Sequence, residues 1–320
     1  MISIFNIFAG FHTALFRQII LPMVPAKLIT MKMFKDSELI INPDGSIYHL
    51  KTRPEQIADT VIVVGDQGRV PMISRYFDKI EHKVQNREFL THTGYFGKKH
   101  ITVLSTGIGT DNIDIVLNEL DAAVNIDLNS RTLKDKHTTL DIVRLGTTGA
   151  LQPDIPVDTL IASSHGLGFD GLMHFYQYDL SLSDQAIADA FAKHVNWDKK
   201  LPYPYVFAAS KELLDKLGGG LKKGITSTAN GFYGPQGREL RLPLAFPEMN
   251  QRIEDFEFQG QKITNFEMET SALFGLGRLL NHNTLTICTV IANRSRKEYS
   301  TSVSEAVDMM IRQVLEKLSE

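Results

Sequence analysis

Cysteine is almost absent: Cys288 is the only one in 320 residues, so no intramolecular disulfide can form and no paired-cysteine zinc site can be built. A reducing compartment fits that usage. The ten histidines include no HExxH spacing, which leaves no transition-metal signal. Excess positive charge is also missing, since 34 Lys and Arg stand against 37 Asp and Glu, a net charge of −3. A nucleic acid would find no bulk basic field to hold its backbone by counterion release. Any bound anion must be held by a few placed arginines. High net charge with low hydrophobicity, the mark of disorder, does not apply to a chain that is 43% hydrophobic and 22% charged.

Acidic residues are missing from the first 35 positions, the first being Asp36. The stretch is apolar up to Val24 but interrupted by Arg17. The uncharged run of 16 residues is shorter than the roughly 20 needed to span a bilayer. No basic region precedes it, as a secretory signal would require. Two readings stay open: a targeting segment, or an over-long start with Met31 or Met33 as the true first residue. Either way residues 1–33 are expected to lie outside the fold, leaving 34–320 as a single domain.

That domain alternates strand and helix. Thr60–Val64 is a β-branched run ending at Gly65. Val70, Ile73, Phe77 and Ile80 then recur at helical spacing. Glu88–Phe96 and His100–Ser105 read as strands joined by a Gly97-Lys98-Lys99 hairpin. A helix is expected from about Asp111, with Ile113, Val116, Leu117 and Leu120 on one face. Ile142–Leu145, Thr159–Ser163, Gly224–Ser227 and Thr284–Ala292 are further strands. Helices are expected from about Glu267 and over Val303–Leu318. Asn125–Thr139 reads as a polar surface excursion. The pattern predicts one α/β domain around a largely buried sheet.

Gly65, Gly107 and Gly146 each follow a predicted strand. Ligands bind outside the carboxyl ends of strands in such sheets, and glycine there lets backbone come close to them. None of these turns is a GxGxxG or GxxxxGK[ST] motif, so the pattern points to a smaller anion than a dinucleotide or triphosphate. The arginines fit that reading. Arg69 follows the Gly65-Asp66-Gln67-Gly68 turn, and Arg87 precedes Glu88 at a strand start. Arg144 lies inside Ile142-Val143-Arg144-Leu145, where a charge needs a partner or a bound anion. Guanidinium forks suit phosphate oxygens.

With these residues in view, the chain from about Ser46 to its C-terminus resembles the nucleoside phosphorylase family, on its uridine-cleaving side. The likeness rests on Val61-Ile62-Val63-Val64-Gly65-Asp66-Gln67-Gly68-Arg69, Asn86-Arg87-Glu88-Phe89 and Ser105-Thr106-Gly107-Ile108-Gly109. It continues through Arg144-Leu145-Gly146-Thr147-Thr148-Gly149-Ala150, Phe232-Tyr233-Gly234-Pro235-Gln236-Gly237-Arg238, Phe266-Glu267-Met268-Glu269 and Ala292-Asn293-Arg294. Seven segments in the family's order make a specific signal.

The resemblance implies a mixed central sheet flanked by helices, and phosphorolysis of a pyrimidine nucleoside: uridine and phosphate give uracil and ribose 1-phosphate. That is a pentosyltransferase of nucleoside catabolism and pyrimidine salvage. It implies phosphate binding by Gly65, Arg69, Arg144, Gly146 and Thr147, with Arg87 reaching the phosphate of a neighbouring subunit. The ribose would be held by Met268 and Glu269, assisted by Glu267, and by His49 donated across a dimer. Thr148, Phe232, Gln236 and Arg238 would form the base pocket, with Arg294 supporting Arg238. Gln236, Arg238 and Glu269 would carry the chemistry. The resemblance also implies no cofactor, phosphate being a substrate, though a monovalent cation (K⁺ or Na⁺) at Glu88, Ile108 and Asn112 is possible within the family. The expected assembly is a homo-oligomer with shared sites, a hexamer in the family's usual form. The expected location is cytoplasmic, without nucleic-acid or membrane partners.

Three departures stand out. Gln67 occupies a place where the family commonly has proline, Asn112 stands for a serine, and the Asn125–Thr139 stretch is long. Purine-specific members carry a Ser-Asp pair where this chain has Asn293-Arg294, so no carboxylate is available to protonate a purine. A purine phosphorylase or a hydrolase of the same fold remains an alternative, as does a non-catalytic nucleoside-binding protein. The three arginines argue against both water as nucleophile and simple nucleoside binding.

Overall fold

A computed structural model describes residues 33–320 of the chain. The expectation placed on the N-terminal extension therefore lies outside the described residues up to Lys32. Met33 itself forms an isolated antiparallel bridge with Thr132.

The first strand, β1 (Thr60–Val64), is buried at every position, as β-branched runs are when helices cover both faces. It leads into a short helix, α1 (Arg69–Ser74), then an antiparallel meander of β2 (Lys79–Asn86), β3 (Phe89–Phe96) and β4 (Lys99–Ser105). Ile80, expected on the helix, instead belongs to β2. Its segment Lys-Ile-Glu-His-Lys-Val alternates with period two, and Asp78 N–H bonds to Tyr95 O and draws the chain into the sheet. The charges on β2 suit a sheet edge. Helix α2 (Thr110–Asn125) buries Ile113, Val116, Leu117 and Leu120 as its spacing predicts.

The polar excursion after α2 is a small hairpin, β5 (Ile126–Asp127) and β6 (Thr132–Leu133). Its Arg131 donates to the carbonyls of Phe34 and Leu39, so it fastens the segment that enters the domain. The ten-residue β7 (Asp141–Ala150) and β8 (Leu160–Gly168) follow. Next come α3 (Leu182–Val195), β9 (Tyr205–Ala208), α4 (Lys211–Leu217) and β10 (Lys222–Thr228). The chain continues with α5 (Met249–Glu254), β11 (Glu257–Phe258) and β12 (Gln261–Glu267). It ends with α6 (Thr270–Leu279), β13 (Asn283–Asn293), β14 (Glu298–Tyr299) and the amphipathic α7 (Val303–Ser319). Glu267, expected to begin a helix, is the last residue of β12, and the helix starts three positions later.

The sheet runs β11-β12-β10-β8-β13-β7-β1-β4-β3-β2, and β12 returns to pair with β7. Strands β7, β13, β8, β10 and β12 thus close on themselves, with both parallel and antiparallel pairs. This is a single α/β domain with a mixed sheet. Its largest apolar cluster packs α2 and α6 against one face, and a second packs α1, α4 and α7 against the other. Strand β7 joins the two halves: it pairs with β1 through Val63 opposite Arg144, and with β12 through Gly149 and Ala150.

Candidate active site

Strands β1, β4 and β7 run parallel, so their carboxyl ends open on one side of the sheet. The turns after β1 and β4 meet there through Thr106 N–H on Val64 O, 2.7 Å. Arg69 opens α1 and turns inward, donating to Leu145 O at 3.1 Å. Burial, and secondarily Arg144, lowers its pKa.

Arg144 is 5% exposed in the middle of β7. Its guanidinium pairs with Glu269 Oε2, lies 3.3 Å from Glu267 Oε2 and donates to Cys288 Sγ at 3.3 Å. The Nε atom has no partner. A Cβ at position 146 would collide with this guanidinium, which is why glycine follows two residues on. Burial alone would pull the Arg144 pKa down, but Glu269 and Glu267 more than offset it and hold the group charged. Glu269 moves the other way. Burial lifts its carboxyl above the ordinary range, and Arg144 reverses only part of that. Both directions follow from one cation shared between two buried carboxylates. Burial also pushes the Cys288 thiol up to about 12, so it stays protonated.

The two glutamates differ in what they can still do. Glu267 accepts from Thr228 Oγ1 at 2.7 Å, from Glu269 N–H at 3.0 Å and from Thr270 N–H at 3.0 Å. With Arg144 added, its oxygens are largely taken, and it braces the start of α6. Glu269, at the cap position of that helix, has fewer internal partners. Its Oε1 accepts from Gly109 N–H at 2.8 Å. Gly109 caps α2 with φ of +101°, a conformation open to glycine, and sets the carboxylate at the positive end of that helix. Met268 between them is half-buried.

A second group surrounds the loop after β10. Gln236 is buried and its Oε1 accepts from Arg238 at 2.7 Å. Arg238 also donates to Phe232 O at 2.6 Å and stacks 3.7 Å above the Phe232 ring, which is 51% exposed. Arg294 donates to the carbonyls of Gln236 and Gly237, so it supports the loop rather than the Arg238 side chain. Burial, then Arg238, lowers its pKa to about 10. Thr148, which the resemblance assigns to the base pocket, donates to Phe266 O at 2.5 Å and accepts from Asn265 at 2.9 Å. Thr147 is half-buried beside it.

The third group lies at the chain surface. His49 Nδ1 is 2.6 Å from Glu119, which also accepts the backbone N–H groups of His49 and Leu50. Asn86 donates to His49 O at 2.8 Å, so His49 and Arg87 share one corner. Arg87 is exposed, with its guanidinium 5.8 Å from the Tyr48 ring centre. Gln67 Nε2 donates to Arg87 O at 2.6 Å and ties this corner to the Gly65–Arg69 turn. Glu88 and Asn112 both approach Gly107, with the Asn112 amide nitrogen nearer, and the Ile108 side chain is 67% exposed. Asn112 turns its amide nitrogen toward Gly107, and only its carbonyl oxygen could serve a cation.

Sequence reasoning did not single out Glu119, Gly109's bond to Glu269, or Thr228. The SxGxG-type turn was read as backbone near a ligand, and only the fold brings its last N–H to Glu269. Asn293 donates to Gln152 O and Ile155 O and accepts from Arg296 N–H, so its amide is fully occupied away from any base.

Comparison with known proteins follows the same lines. The family model described as "Phosphorylase superfamily" matches residues 59–320. A uridine phosphorylase of Thermococcus kodakarensis is 29% identical, over 91% of this chain and 93% of that protein. The uridine phosphorylase of Escherichia coli is 27% identical, over 79% and 88%. A solved structure of a Trypanosoma brucei nucleoside phosphorylase, described as showing uridine phosphorylase activity, superposes with a TM-score of 0.80. It is 29% identical and covers 88% of this chain and 99% of that one.

Proposed function

From the premise that this chain belongs to the phosphorylase superfamily, we propose that it is a uridine phosphorylase, converting uridine and inorganic phosphate to uracil and ribose 1-phosphate. The observation that carries the reading to this site is Arg144, a buried cation between Arg69 on one side and the Glu269 carboxylate on the other. Two arginines with an acid alongside are what phosphate and a ribose hydroxyl need if they are to meet at one carbon.

Phosphate is held by the Gly65–Arg69 turn, Arg144 and the backbone from Gly146 to Thr147, with Arg87 of a neighbouring subunit closing the site. Glu269 accepts from ribose hydroxyls, Met268 packs on the sugar, and His49 comes from the neighbour. Glu267 orients Glu269 and Arg144. A phosphate oxygen forms a bond to C1′ while the C1′–N1 bond breaks, and its electron pair passes into the uracil ring. Phosphate opposes the positive charge developing on the sugar. Gln236 and Arg238 donate toward the negative charge growing on the uracil oxygens, the kind of aimed donor that contributes about 2.7–4 kcal/mol in other enzymes. Holding the two reactants in line supplies several kcal/mol more. No side chain has to be activated as nucleophile, and no cofactor takes part. The internal bonding of Asn293 supports a pyrimidine, because no carboxylate stands where a purine would need one. Within the described residues no helix is long and apolar enough to cross a membrane. Cytoplasmic placement and a hexamer built of site-sharing dimers belong to the same proposal.

The test is release of free base from uridine, inosine and thymidine with and without phosphate. Uracil release that requires phosphate, with inosine unreactive, is the expected result. Phosphate-independent release would make the protein a hydrolase, and release of hypoxanthine alone would make it a purine enzyme.

A further inference from the structure

A cavity of about 720 Å³ borders the base loop, and of its lining only Arg238 takes part in a step above. Phe169, Trp197 and Met249 wall it from the body of the domain, and Leu240, Leu242 and Phe246 from the segment between β10 and α5. Gln236, Thr148, Met268 and Glu269 do not line it, so it meets the proposed nucleoside site only at Arg238. The volume falls within the ~300–1,000 Å³ of small-molecule sites. Phe169 and Trp197 are packed with ring centres 5.0 Å apart and give the floor an aromatic surface. Across from them, Leu240 and Leu242 are 73% and 81% exposed, so apolar surface on that side is left without cover.

The charged groups of the lining are all of one sign. Arg238 and Arg241 contribute guanidinium groups, Asn230 and Asn250 amides, and no aspartate or glutamate lines the cavity. Arg241 forms no ion pair among the described residues. We propose that this cavity is a second binding site, for a flat apolar molecule carrying one negative charge: an aromatic carboxylate or sulfonate. Aromatic floor and leucine walls take the ring system, and Arg241 takes the anion. Arg238 is the shared wall. Its bonds to Phe232 O and Gln236 face the base loop, and the same residue borders the cavity. An occupant that draws on Arg238 therefore weakens nucleoside binding, and this second half rests on the function proposed above.

Trp197 is the only tryptophan in the chain, which makes the site self-reporting. The probe is 8-anilinonaphthalene-1-sulfonate titrated into the full-length protein. One probe per chain should bind, with Trp197 emission transferred to it. Arg241→Glu should weaken binding about tenfold or more, as loss of a charge-assisted contact does, and Leu242→Glu should weaken it as well. Uridine turnover without probe should be unchanged in both variants. Saturating uridine should raise the probe's Kd to a plateau, as linkage through a shared residue requires. A Kd that rises without limit would mean the probe occupies the base site, and indifference to Arg241→Glu in a folded variant would mean generic adsorption. Either result overturns the second site. If the protein fails to cleave uridine, the probe titration still decides the binding half on its own.

Discussion

Replacing Arg144 by methionine removes the one cation that Glu267 and Glu269 share while keeping an unbranched chain of similar reach. Both carboxylates are at most 5% exposed. Breaking a buried pair by deleting one partner typically costs about 3–5 kcal/mol, because a charge is left without compensation. The two acids do not suffer equally. Glu267 keeps Thr228 and two backbone N–H groups, whereas Glu269 is left with backbone N–H groups only, those of Gly109 and Met268. The Glu269 carboxyl already sits above its ordinary range, and without Arg144 it rises further. A carboxyl with a raised folded-state pKa favours folding at low pH, and that contribution is lost as pH climbs through the raised value. The deficit of the variant should therefore be largest near pH 8 and shrink toward pH 5. Urea unfolding of wild type and variant at the two pH values measures it, and the melting temperature at pH 8 should drop by roughly 5–10 °C. The double variant Arg144→Met/Glu269→Gln should recover much of the loss, giving a coupling energy well above the ~0.3–0.5 kcal/mol scatter of independent sites. A deficit that is equal at both pH values, or a double variant no better than the single one, would refute the shared-cation account. Phosphate-dependent turnover should be nearly abolished in either variant, which ties the same side chain to function.

Three further outcomes follow from other parts of the molecule. Gln67→Leu removes the bond to Arg87 O and should raise the KM for phosphate about 2–10-fold while leaving that for uridine near normal; an unchanged phosphate KM would show that the Arg87 corner holds itself. A chain beginning at Met33 should fold and retain full activity in a uridine assay, whereas an insoluble or inactive product would make residues 1–32 part of the working domain. Inactive His49→Ala/Arg87→Ala chains mixed with inactive Glu269→Ala/Arg238→Ala chains should recover roughly a quarter of wild-type activity after subunit exchange, since pairing across a two-fold axis leaves one intact site per mixed dimer; no recovery despite proven exchange would assign His49 and Arg87 to their own subunit.

What could be read from the sequence divides by the kind of information involved. Buried strands such as Thr60–Val64 and the apolar face of α2 announce themselves through local pattern, because their burial depends on residue type and period alone. Ile80 misled for the same reason: apolar spacing around Val70–Phe77 extends by chance into a period-two strand, and a long-range bond to Tyr95 decides which pattern wins. Arg144 was legible as a charge in need of a partner, but its partner was not. Glu269 lies 125 positions away, and only the return of β12 to β7 brings the two together. The tie between His49 and Glu119 spans 70 positions and has no sequence signature at all. Thr148 was assigned to the base by its place in a motif, and the structure spends its hydroxyl on Phe266 and Asn265.

Strand β7 works as a ruler. Arg144 and Thr148 are separated by four residues of extended chain, about 13 Å at ~3.3 Å per residue; β13 pairs with β7 along this whole span, while β1 holds the other edge up to Arg144 and β12 takes it over from Gly149. The span between Arg144, proposed to hold the anion, and the far end of the strand is thus set by covalent geometry rather than by loops that can drift. In the proposed reading the base is recognised from the 232–248 segment, which is tied to this ruler through Arg294: its N–H bonds to Ala150 O and its side chain to the carbonyls of Gln236 and Gly237. Lengthening, shortening or rewriting that segment can change which base fits without altering where a nucleophile meets the sugar. A lineage built on such a strand is free to explore new substrates by loop variation, and bound to keep one chemistry.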